Sequence, residues 1–90
     1  MALNRKSELK QLLDQQHQWP EAFLFKFIYK NDPSTENQLR ALFSEDSEIA
    51  IKQSKKNSFN SMSVNTIMKS AKEVLDVYAK VGKMEGVISL

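Results

Sequence analysis

No cysteine occurs anywhere in the 90 residues, which excludes disulfides, thiolate metal sites and a cysteine nucleophile. That absence suits a reducing cytoplasm, the expected location. Histidine occurs once, at His17. With so few nitrogen and sulfur donors no transition-metal set can be drawn, and no cofactor is expected. No apolar run approaches the ~20 residues needed to cross a bilayer. The leading segment MALNRKSELKQLLDQQHQW has early basic residues but not the continuous apolar stretch of a signal peptide. Membrane contact is therefore not expected. Neither sign of charge dominates: 13 basic against 11 acidic side chains give a net charge of +2. That balance is far from the basic excess of a dedicated nucleic-acid binder.

What is present fits one small globular domain. Hydrophobic residues make up 41% and charged residues 27%, a mixture that folds rather than stays disordered. Ninety residues suffice for one modest core.

The chain divides at residue 18. Residues 1–18 read as an N-terminal arm, a short helical piece in which Leu9, Leu12 and Leu13 share a face with Leu3 nearby. The polar DQQHQW that follows reads as a mobile connector, and Pro20 turns the preceding residue away from helix. Residues 19–90 read as the domain proper. Its first strand, Glu21 to Lys30, sets Phe23, Phe25, Phe27 and Tyr29 on one side. Ala22, Leu24, Lys26, Ile28 and Lys30 fall on the other. The aromatic side is expected to be the core side, because large rings give so short a chain its greatest apolar burial.

Asp32-Pro33 is a helix start, a capping carboxylate followed by a proline that needs no hydrogen bond there. Leu39, Leu42 and Phe43 give that helix its apolar stripe, and SEDSE ends it. Ile49 and Ile51 mark a second strand. SKKNS is a turn, and Phe59 to Ile67 a third strand with Met62, Val64 and Thr66 opposite Ser61, Ser63 and Asn65. The short link predicts an antiparallel hairpin. Ser70-Ala71-Lys72-Glu73 has the form of a capping box. Ile67, Ala71, Val74, Tyr78 and Val81 then follow at helical spacing. Gly82 reads as the stop of this helix, Gly86 as a turn, and Val87 to Leu90 as a last strand.

The order is βαββαβ. It predicts an α+β, ferredoxin-like fold: a four-stranded antiparallel sheet with two helices on one face.

The segments WPEAFLFKFIY, IKQSKKNSFNSMSVN and VLDVYAKVGKMEGVISL resemble the YbeD-like family of small bacterial proteins of unknown function. The likeness is carried by Trp19-Pro20, Lys26, Lys52, Ser54, Phe59, Ser61, Ser63, Val77, Tyr78, Gly82 and Lys83, in that order and spacing. It implies the same fold in an ACT-like version. It also implies a regulatory or binding role without an established activity.

A catalytic centre is not expected, because His17 reads as an exposed linker histidine rather than a general base or ligand. Glu45, Asp46 and Glu48 lack the spacing and glycine of a calcium loop and read as a solvated acidic turn. Acylphosphatase chemistry on this fold needs an anion cradle at the first strand–helix turn, where Asp32 puts the wrong charge. ACT-like domains hold small ligands at that same turn. Asn31, Asp32 and Ser34 form the corresponding loop here, with serine in place of glycine. A plain helix cap is preferred, and a small-molecule ligand is disfavoured. RNA-recognition modules need exposed aromatics on both central strands, and only Phe59 offers one. Lys52, Lys55, Lys56, Lys69 and Lys72 could form a basic patch, so weak RNA binding stays as the alternative.

The expected partner surface is the other face of the first strand with its neighbour: Leu24, Lys26, Ile28, Ser61 and Ser63. Either the N-terminal arm covers it, or it takes a protein partner or a second copy. The function expected is a non-catalytic regulatory or partner-binding module.

Overall fold

A computed structural model of the chain describes residues 5–54 and 58–90. The elements run α1 (Arg5–Gln16), β1 (Glu21–Lys30), α2 (Pro33–Arg40), β2 (Glu48–Gln53), β3 (Phe59–Met68), α3 (Ala71–Gly82) and β4 (Val87–Ser89). The four strands make one antiparallel sheet in the order β2-β3-β1-β4. After α1 this is the expected α+β arrangement.

Alternation decides which face of the sheet is wet. Phe25, Phe27 and Tyr29 of β1 are fully buried, as are Met62 and Val64 of β3. Leu39 of α2 and Val74, Val77 and Val81 of α3 close over them. Phe25 is the hub, with ring centroids 4.8 Å from Phe23, 5.3 Å from Phe43 and 5.3 Å from Tyr78.

Both helix starts follow from their caps. The Asp32 carboxylate accepts from the Ser34 amide at 3.0 Å, with Pro33 opening the helix. Ser70 Oγ accepts from the Glu73 amide at 3.2 Å.

Several local expectations need correction. Helix α2 stops at Arg40, short of Leu42 and Phe43. Those two residues still turn inward, because the Leu42 and Phe43 amides bond the Leu39 and Arg40 carbonyls in a tighter three-residue turn. Helix α3 ends at Gly82 as expected, but not through a left-handed glycine. The Lys83 and Met84 amides reach back to the Lys80 and Val81 carbonyls, so no left-handed residue is required at that end. The positive φ falls instead on Gly86, at 75°. Ile67 does not join the helical face. It is an outward residue of β3, 63% exposed, and Val77 takes the inward place while Tyr78 stays half-buried.

The N-terminal segment also differs. The DQQHQW connector is helical as far as Gln16, and the rest of it is fastened down. His17 is half-buried rather than exposed: it stacks on Trp19 at 5.0 Å and sets Nδ1 3.1 Å from Glu21 Oε1. Trp19 Nε1 donates to Asp14 Oδ1 at 3.0 Å, and the Trp19–Pro20 bond is cis. Helix α1 packs on α3, with Leu13 against the core and Leu9 and Leu12 half exposed. It therefore lies in the helix layer. Leu3, Lys55 and Lys56 fall outside the described residues.

Candidate functional site

The outer face of the sheet is laid out in rows by strand pairing. Lys26 lies across from Ser63, and Ser63 from Ala50. On one side of that central row stand Leu24, Asn65 and Glu48. On the other stand Ile28, Ser61 and Lys52, with Ile88 beyond Ile28. Ala22 with Ile67 and Lys30 with Phe59 make the two outermost rows. The structure thus gathers Leu24, Lys26, Ile28, Ser61 and Ser63 on one surface.

The described helices all pack on the opposite face, so the described part of the arm does not serve as a cover. Leu24 is 57% exposed, Ile67 63% and Ile88 61%. Ile28 is half-buried because Ile88 pairs beside it. The sequence reading missed Phe59, Ile67 and Ile88 as members of this surface. Period-two alternation along β3 carries the signal for the first two. The third depends on β4 pairing with β1, which periodicity does not reveal.

The strand–helix loop is a built cap. Both Asp32 carboxylate oxygens are engaged, one by the Ser34 amide and the other by Thr35 Oγ1 at 3.3 Å. Asn60 Nδ2 donates to Asn31 Oδ1 at 3.2 Å and ties the loop to β3. A ligand ammonium would have to displace the cap to reach Asp32. We predict that Asp32→Ala costs ~1 kcal/mol of stability. Titration calorimetry with amino acids should show no saturable heat in either form.

A cavity of about 380 Å³ lies elsewhere, between the turn after α2 and the start of α3. Lys69, Glu73, Asp76 and Lys80 line it with mixed sign, and none of them is buried. Residues of such mixed sign in solvent do not converge on one ligand charge. Among the described residues, the lysines that could have formed a basic patch are not brought together. Lys52 stands beside Ser61, while Lys69 and Lys72 follow the far end of β3, roughly 25 Å along the strand.

A family model described as "Protein of unknown function (DUF493)" matches residues 14–90. The chain belongs to this family. The YbeD-like resemblance carried by the sequence motifs is thereby shown, and the match reaches back into α1, to Asp14. No curated protein matches the chain. Among solved structures, the ACT domain of a GTP pyrophosphokinase from Chlorobium tepidum is similar, with a TM-score of 0.55 and 19% identity. That match covers 78% of this chain and 100% of the other. It establishes an ACT-like fold.

Within this DUF493 domain, no helix among the described residues is long and apolar enough to cross a membrane. The described residues hold no group of three potential metal ligands. The Asp14 carboxyl is held below its usual range by the hydrogen bond from Lys10, and that of Glu21 by the contact with His17. Asp14 is exposed and Glu21 half-buried, and both fasten the arm.

Tyr29 titrates furthest from its ordinary range. Burial, together with donation to Glu36 Oε1 at 3.0 Å, pushes its phenol up to about 12. Between pH ~10, where an unfolded tyrosine ionises, and the folded value, the unfolded chain releases this proton and the folded chain keeps it. Tyr29 therefore contributes stability below pH ~10 that is lost as pH rises toward the folded value. Urea midpoints at about pH 9 and about pH 11 should fall between the two, and the fall should be shallower in Tyr29→Phe.

Proposed function

We propose that this DUF493 protein is a non-catalytic regulatory module of the cytoplasm that works by docking a protein on the outer face of its sheet. The observation that carries the reading is the exposure of Leu24, Ile67 and Ile88 on a face that no described helix covers. Burying those side chains against a partner supplies apolar contact, which offsets the cost of association better than a few screened surface charges. The rigid pairing of β1 with β3 along ten residues holds the contact surface in shape before binding.

The nucleic-acid alternative gains no support. The outward residues of β1 are Ala22, Leu24, Lys26, Ile28 and Lys30, none of them aromatic, so bases have no stacking platform on that central strand.

The test is affinity capture from the native cytoplasm, with and without nuclease, using wild type and Leu24→Glu. Capture of a defined protein that survives nuclease and is lost with Leu24→Glu is the expected result, with circular dichroism confirming the fold. Co-purification of RNA instead, or capture indifferent to Leu24→Glu, would overturn the reading.

A further inference from the structure

We propose that the occupant of the outer sheet face is a second copy of this chain, packed face to face with its strands antiparallel to those of the first. This rests on the reading of the outer face as a docking surface and commits it to one partner. The arrangement follows from the charge pattern along the strands. Lys30 and Lys52 stand toward one end of the face, Glu48 toward the other, and the row Lys26–Ser63–Ala50 lies midway.

A two-fold axis running along that central row reverses the second copy end for end. Glu48 then lies over Lys52 of the partner copy, and Lys52 over the partner's Glu48. Leu24 meets Ile28, Ile67 meets Phe59, and Ala50 and Ser63 meet their own counterparts. The opposite choice, with the axis along the strands, reverses the strand order and sets Lys52 over the partner copy's Ile88 and Lys30 over its Phe59, leaving Glu48 and Lys52 without opposite charges. A charge desolvated against apolar side chains without a partner charge is strongly unfavourable. Charge therefore selects the antiparallel pairing from the two that the symmetry of a face-to-face dimer allows.

Size and shape fit a weak pair. Strands of ten, ten, six and three residues, at about 3.3 Å per residue and about 4.8 Å apart, present on the order of 450 Å² in projection. Two such faces bury roughly 900 Å², the size of a weak, transient interface. The small side chains of Ala50, Ser61 and Ser63 let the sheets approach to about 10 Å, while Leu24, Ile67 and Phe59 fill the flanks. Lys26 lies on the axis and meets its own copy. Its long stem carries the ammonium outward over the three-residue strand β4.

Glu48 and Lys52 are four residues apart on one strand, about 13 Å, and cannot pair within a single chain. A charge-reversal experiment therefore reads only the contact between copies. Sedimentation velocity on wild type, across a series reaching millimolar concentration, should show a monomer–dimer equilibrium that weakens with salt. Glu48→Lys and Lys52→Glu should each weaken it at least about tenfold, since each places like charges together twice per dimer. Mixing the two variants should restore the dimer, because every facing pair is then opposite in sign. Lys26→Met should tighten it.

A wild type that stays monomeric throughout overturns self-pairing and leaves the docking surface to the capture experiment. A dimer that persists in both single variants, or that mixing does not restore, overturns the antiparallel face-to-face arrangement. Each variant keeps its outward position, and circular dichroism with urea midpoints checks that it folds.

Discussion

Phe25→Ala should lower the unfolding free energy by about 3–5 kcal/mol, read as a shift of the urea midpoint at unchanged slope. Phe25 is fully buried and sits among Phe23, Phe27, Phe43 and Tyr78, with centroid separations of 4.8 to 6.1 Å. Truncation removes the transfer gain of the ring and leaves a hole that four aromatic neighbours cannot close by rotating. Tilted ring pairs lose their edge-to-face contacts as well. Since small domains hold only 5–15 kcal/mol in total, roughly, the variant should be close to its unfolding threshold at physiological temperature. A midpoint near that of wild type would mean that the ring contributes little to the core.

The second large effect is expected one strand away. Val64→Asp should leave the domain unfolded at neutral pH, while Ile67→Asp on the same strand should change stability by no more than about 1 kcal/mol. Val64 is fully buried between Phe25 of β1 and Ile49 of β2. A carboxylate there has no cation or donor to meet, and a buried unpaired charge costs several kcal/mol. Burial raises the folded pKa of such an acid, so the stability lost at neutral pH should return in part as pH falls. Ile67 points to the wet face and stands 63% exposed, so a charge there keeps its water. Circular dichroism at neutral and acid pH separates the two variants. Equal behaviour would contradict the assignment of faces.

The face assignment was legible because a strand has a period of two and β1 concentrates its rings on one parity. Both helix caps were legible for a similarly local reason: Asp32 and Ser70 bond amides two and three residues on, within reach of any window of sequence. The errors came where a distant partner decides. Ile67 fits a helical spacing with Ala71 and Val74 as well as it fits β3, and only its pairing with Ala22 settles the matter. His17 looked like linker because nothing nearby in sequence announces that Trp19 and Glu21 will clasp it. The candidate surface was half legible for the same reason. Leu24, Lys26, Ile28, Ser61 and Ser63 follow from alternation along two neighbouring strands of the expected fold. Glu48, Lys52 and Ile88, which give the face its charge direction and its edge, enter only through pairings across the sheet.

The pairing of β1 with β4 has a consequence for how the molecule comes to exist. Tyr29 lies opposite Val87, so one flank of β1 waits for residues far later in the chain. Its other flank waits for β3, itself a long way down the chain. Until then the most aromatic segment of the protein has no sheet to join. Contacts so distant in sequence slow the search for the native state and extend the time during which an open strand can pair with the wrong chain. The lysines at 26 and 30 interrupt that segment with charge on the side the rings leave free. Such gatekeeping charges hinder stacking of nascent copies during the interval before the sheet closes.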